Sequence, residues 1–325
     1  MTVKMLSKVA FASLAFACVD AAYAADIDTT PGVTLSAENK YIGAGTLTVS
    51  GGGDVWLGGG GGSPITEFAM TGGLIDIVSG TTLKNGGWQK GVWTDNKAGM
   101  QVNGTLDVFD GNNIFADALT GSGTVTMGDI SWSTLNKSIT VGVNGGGGTF
   151  TGTISDSGDD TLSLIKTGGG TQILTGANTY RGATTINGGT LRIVGNSSGA
   201  GALTVASGAR LGGTGSYGGS ITMLAGAGLN CELSVTDSTL TCAGQLSFNN
   251  LDFESCAFTG AVGAGYPPYR RIPLIEAASL GTTTFANGAS STEGTIAGVP
   301  AKLYLKGNIL MLDVGYTPGT RISFF

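Results

Sequence analysis

Apolar and polar residues alternate in short runs along most of this chain, and glycine-centred corners separate the runs. In residues 162–194, LSLIKTGGGTQILTGANTYRGATTINGGTLRIV, the alternation predicts four strands at Leu162–Ile165, Thr171–Leu174, Thr184–Ile186 and Thr190–Val194. Each has one apolar and one polar face, and none is long enough to fold alone. Such units become stable by stacking on copies of themselves, so the pattern predicts a solenoid. Glycines that open similar runs recur at Gly45, Gly73, Gly104, Gly123, Gly148, Gly170, Gly189, Gly201 and Gly219. Their spacing fits a base coil of roughly twenty residues with loops spliced into some turns. On the order of a dozen coils, each adding about 4.8 Å, would make a rod roughly 50–65 Å long. The alternation points Leu47, Val49, Leu106, Val108, Phe150, Ile173, Leu191, Ile193, Leu203, Val205 and Ile221 inward.

The same stretch resembles the autotransporter-associated β-strand repeat of bacterial surface and secreted proteins. The match is carried by Leu164, Lys166, Thr167, Gly168, Gly170, Thr171, Leu174, Thr175, Gly176, Ala177, Asn178, Thr179, Tyr180, Gly182, Thr184, Thr185, Ile186, Asn187, Gly188, Gly189, Thr190 and Leu191. The continuation at 201–219 resembles what usually follows that repeat. The resemblance implies a right-handed parallel β-helix of passenger type outside the cytoplasm. It implies no defined reaction. Within it Lys166, Gly170, Gly176, Asn178, Tyr180, Gly182, Gly188 and Gly189 read as scaffold. Corner residues often need φ > 0, which glycine and asparagine tolerate.

Composition supports an all-β reading. Of 325 residues 59 are glycine, yet there is no Gly-X-Y period, and 41% apolar content in regular alternation argues against disorder. Residues 1–24 read as a Sec signal peptide, with Lys4 and Lys8 before an apolar Val9–Val19 core and a small-x-small site at Ala22-Tyr23-Ala24. Without it, 14 basic residues face 21 acidic ones, a balance that argues against nucleic acid and anionic membranes as partners. No later segment reaches the ~20 apolar residues of a transmembrane helix. The expected plan is a signal peptide (1–24), a parallel β-helix (25–250, with the repeat at 162–194) and a strand-rich cap (251–325). In the cap, KLYLKGNILMLDV predicts a hairpin turning at Gly307-Asn308. The residues after Val314 are too few for a translocator barrel, so the expectation is a passenger held at the surface by another component.

Candidate chemistry is sparse. Cys231, Cys242 and Cys256 remain after signal removal; in an oxidising compartment Cys231–Cys242 would close a short loop, and Cys242–Cys256 is the other pairing considered. There is no histidine and no zinc-like spacing, so no metal or cofactor is expected. Two loops leave the pattern: the glycine run Gly58–Gly62, and Lys84–Gly99 with Trp88 and Trp93. Exposed, these tryptophans would offer a platform for sugar rings; folded back, they would cover the flank of the stack. Polysaccharide lyases and hydrolases also use β-helices, and Asp107 with Asp110, or Asp156 with Asp159 and Asp160, are the carboxylates such an enzyme could use. DVFDGNN at 107–113 lacks the calcium-loop spacing, and SDSGDD at 155–160 reads as a turn. The leading expectation is an exported, non-enzymatic surface or extracellular protein of structural or adhesion type. It would be secreted or displayed on the outer surface, with the periplasm as the other destination. Its expected partners are a cell-surface or extracellular polysaccharide and other surface proteins. A carbohydrate-binding module and a polysaccharide lyase or hydrolase are the alternatives.

Overall fold

A chain of short alternating strands must turn every few residues, and its backbone groups then pair with the neighbouring turns of the same chain. The computed structural model has this arrangement and describes residues 26–29, 33–35, 40–57, 66–86, 91–128, 134–199, 201–233, 239–260 and 270–315. Residues 1–24, read from the sequence as a signal peptide, the run Gly58–Gly62 and Trp88 lie outside the described residues.

Coils carry up to three strands, and like strands of successive coils pair in parallel to build three faces. On the first face Asn136–Val141, Thr161–Lys166, Thr184–Ile186, Leu203–Val205 and Ile221–Met223 follow one another. On the second, Gly148–Phe150 leads through Thr171–Leu174, Thr190–Ile193 and Arg210–Gly212 to Gly228–Leu233. On the third, Gly53–Trp56, Thr81–Lys84, Thr105–Asp107, Thr124–Met127 and Thr153–Asp156 stack in order. Among the described residues there is no α-helix, only two 3-10 turns. The fold is a parallel β-helix, as the alternation predicts.

Register gives the coil length directly. Leu164 faces Thr184, Thr184 faces Leu203 and Leu203 faces Ile221, spacings of 20, 19 and 18 residues. Where loops are spliced in, as between Ile139 and Leu164, the spacing grows to 25. Both ends change direction. Asp26–Thr29 and Val33–Leu35 lie antiparallel to the first coil's strands. At the other end the parallel ladder runs past residue 250, because Arg270–Phe285 still pairs in parallel with Leu240–Leu251. Ile309–Val314, Val299–Lys306 and Ser291–Ile296 then close that strand's free side antiparallel. The hairpin turns at Gly307-Asn308 as expected, with Gly307 at φ +59°.

The interior is filled by aligned columns of side chains. Leu47, Val49, Leu106, Val108, Phe150, Leu191, Ile193, Leu203, Val205 and Ile221 are fully buried. Ile173 is the exception: Gln172 and Leu174 point inward and Ile173 outward. The registry explains this correction. Gln172 pairs with Gly148, which has no side chain, so the inward position there is empty until the glutamine fills it. Its Nε2 donates to the Leu119 carbonyl at 2.8 Å, and its Oε1 accepts from the Leu119 N–H at 3.1 Å. Leu119 belongs to a strand two coils earlier, and one side-chain amide thus pairs both of its backbone groups. A one-residue shift in register moves every side chain to the other face, and here buried hydrogen bonding outweighs apolar ranking.

At the corner between the second and third faces, glycine recurs coil after coil as Gly104, Gly123, Gly152, Gly176, Gly195 and Gly215. A Cβ on Gly176 would lie 1.8 Å from the Gly152 carbonyl oxygen; on Gly152 it would lie 2.0 Å from that of Gly123, and on Gly195 2.2 Å from that of Gly176. Each glycine leaves room for the carbonyl of the coil before it. This close approach accounts for much of the glycine in the sequence.

Two stability comparisons test this account. Gln172→Leu strands two buried backbone groups and should cost about 1–3 kcal/mol, whereas Ile173→Thr at the outward position should stay within about 0.5 kcal/mol. Equal shifts in urea midpoint would contradict the inward assignment. Gly176→Ala should cost about 1–3 kcal/mol or more through overpacking. Gly169→Ala, where nothing lies within 4 Å of the added methyl, should leave the melting temperature nearly unchanged.

Candidate functional site

The repeat residues are buried structural parts. Lys166 stands in the core column Val141–Lys166–Ile186–Val205, fully inaccessible among apolar neighbours. Its Nζ donates to the carbonyl oxygens of Thr167, Gly168 and Gly188, so the ammonium binds the corner where two coils turn. Burial lowers its pKa, and Asp117 acts in the opposite direction. Asn178 replaces a strand residue: its Oδ1 accepts from the Ile154 N–H at 3.0 Å, and its Nδ2 donates to the Gly176 carbonyl and to Ser197 Oγ. Tyr180 is buried, its hydroxyl 2.8 Å from Thr184 Oγ1, and Tyr217 reaches the same oxygen at 3.2 Å. Burial raises both phenols, Tyr217 to about 12. Gly170 and Gly182 lie against carbonyls of the preceding coil, and Gly189 combines the same contact with φ +61°. Gly188 supplies one of the carbonyls that hold Lys166.

Of the two side-loop tryptophans, Trp93 is described and is folded in. Trp93, expected in one reading as an exposed sugar platform, is almost wholly buried. Its ring stacks on Phe68 with centroids 4.0 Å apart, and Phe68 stacks on Tyr41 in the previous coil. The indole N–H donates to Asn85 Oδ1 at 3.0 Å. Trp93 is thus part of an aromatic column along the first face.

The three cysteines are free thiols in this structure. Cys231 is on the second face, opposite Phe258, while Cys242 is on the third, opposite Tyr217. Cys242 donates to the Gly219 carbonyl at 3.2 Å. Burial raises all three thiols, which keeps them protonated and weakly nucleophilic.

Asp107, Asp156 and Asp160 are engaged in the scaffold, while Asp159 is exposed. Asp107 Oδ1 accepts from the N–H groups of Phe109 and Gly128, both at 3.1 Å. Burial raises its pKa against the pull of those bonds and of Lys84. Asp156 accepts from the Leu162 and Arg181 N–H groups and pairs with the Arg181 guanidinium at 2.9 Å. Asp160 Oδ1 accepts from the Leu135 N–H. Among the described residues no three His, Cys, Asp or Glu side chains converge as metal ligands.

One surface cluster was not singled out in the sequence. On the third face Trp56, Lys84 and Asp107 are consecutive partners in the ladder. Lys84 Nζ is 3.0 Å from Asp54 Oδ2 and 4.8 Å from the centroid of the Trp56 ring. Phe109 meets Trp56 edge-on at 5.4 Å and 90°, and does so from φ +44°. A bulky non-glycine residue held there costs on the order of 1–3 kcal/mol. The signal was present in GGDVWLG, where Asp54 and Trp56 share the outward phase of a strand.

The Passenger-associated-transport-repeat family profile matches residues 164–193. An adhesin, the BmaC autotransporter of Brucella suis biovar 1 (strain 1330), is 37% identical over 110 residues. That alignment covers 34% of this chain and only 3% of the relative. The resemblance read from the sequence is borne out: the chain carries a repeat of the autotransporter-passenger type and is similar in part to an autotransporter adhesin. Among the described residues no helix is long and apolar enough to cross a membrane.

Lys166 gives a prediction with a defined sign. Lys166→Met leaves the Thr167, Gly168 and Gly188 carbonyls without their donor and should destabilise the coil by about 1–3 kcal/mol. The folded-state pKa of Lys166 is below its ordinary 10.5, so the unfolded chain binds the extra proton between the two values. Wild-type stability relative to Lys166→Met should therefore rise with pH toward 10.5. The buried tyrosines act equally in both proteins and cancel from the difference. Paired melts across the alkaline range measure it, and a falling difference would contradict a depressed lysine.

Proposed function

We propose that this chain is an exported, non-enzymatic β-helical rod that works at the cell surface as an adhesion-type passenger. The observation that carries the reading is the stack itself: a passenger-type repeat whose most recognisable residues are spent inside the scaffold. The adhesin relative supports surface contact as the role, and its short overlap makes this a statement about the segment in hand. A non-enzymatic role is supported by the state of the carboxylates, since Asp107 and Asp156 accept backbone N–H groups and take part in the scaffold. Rigidity suits such a protein, because backbone groups within the stack pair with the coils on either side. The leader at 1–24 supplies the route out through Sec export. Partners of this reading are an extracellular or cell-surface polysaccharide and other surface proteins.

The reading is tested in the native cell. External protease added to intact cells should cleave the protein, or the protein should be found in the medium. A strain lacking it should adhere several-fold less to its natural surface. Confinement to the cytoplasm or a protease-protected periplasm, with adhesion unchanged, would overturn the proposal.

A further inference from the structure

We propose that the cluster of Trp56, Phe109, Lys84 and Asp54 on the third face is a binding site for a neutral pyranose of a surface glycan. The inference rests on the adhesion reading and gives it a place and a ligand class.

Threonine is the commonest residue at the outward positions of this face, as Thr82, Thr105, Thr124, Thr126 and Thr153. Trp56 breaks the series with a large, partly exposed indole at an outward position. Its strand, Gly53–Trp56, is the terminal strand of its sheet. Lys84 covers the side of the ring toward the next coil, and no described strand of that sheet follows on the other side. A partly exposed indole steadied by a neighbouring side chain is what the apolar face of a sugar ring packs on. Phe109 supports the indole edge-on, and it does so from a backbone conformation that a phenylalanine rarely adopts. Strain of this kind collects at ligand sites, where the surroundings hold it in place.

The rim supplies hydrogen bonds of both polarities. The Asp54 side chain, 46% exposed, can accept, and the Lys84 side chain, 23% exposed with its Nζ 4.8 Å from the ring centroid, can donate. Charge selects among glycans. Asp54 and Asp107 outnumber Lys84 here, and the whole chain carries a net charge of −6. Uronates, sulfated sugars and sialic acids are therefore disfavoured, and neutral hexoses or N-acetylhexosamines fit.

The intact chain is applied to an array of neutral and acidic oligosaccharides, and the best neutral one is titrated by isothermal calorimetry. Neutral glycans should bind. Trp56→Ala should weaken binding more than tenfold, Trp56→Phe less, and Asp54→Asn several-fold. Asp54 is outside the core, so Asp54→Asn keeps the test valid if Trp56→Ala folds poorly. Unchanged affinity in Trp56→Phe and Asp54→Asn, or binding confined to acidic glycans, would overturn the site. If no glycan binds but the protein still mediates adhesion, the site falls and the adhesion reading stands. If the protein is not exported and adhesion does not depend on it, that reading falls first.

Discussion

Every feature of this protein depends on one pairing: the backbone of each coil bonds to the coils on either side of it at the strand spacing of about 4.8 Å. That spacing is too short for a side chain to stand between backbones at a tight corner. Hence the glycine series from Gly104 to Gly215, where a methyl would fall within 1.8–2.2 Å of a carbonyl oxygen. Elsewhere the same spacing aligns identical positions of successive coils, so the core is a set of columns. A misfit in a column is felt by the coils above and below it.

Polar side chains enter these columns wherever the coil path leaves backbone groups unpaired. Gln172 serves Leu119 past Gly148, which has no side chain; Lys166 gathers three corner carbonyls; Asn178 substitutes for a strand on the third face. Each is buried and bonded on several sides, which is the condition under which a buried polar group is tolerated. In the passenger-type repeat the conspicuous polar residues are thus the fasteners of irregular corners. The site proposed for ligand lies elsewhere, on an outward phase of a more regular face.

Period-two alternation made the strands legible. The strands within 162–194 fall where the pattern places them, because burial of one face leaves little freedom of register. Ile173 was misjudged because apolar rank ignores what a neighbouring coil needs, and Gly148 lies 24 residues before Gln172. Trp93 could have been either exposed or folded in from its loop context; the deciding residues, Phe68 and Asn85, come from other parts of the coils. Trp56 was overlooked for a different reason. Its significance depends on Phe109, and nothing local in the sequence places two rings from coils that far apart at 90°.

The parallel ladders also determine how the rod answers force. Its interstrand bonds run along the axis, so a pull on its two ends loads them one coil at a time, as a zipper opens. A released coil of about twenty residues can extend to roughly 65 Å of chain. A rod of this kind holds its length under light load and pays out slack under heavy load, which lets an attachment yield without letting go.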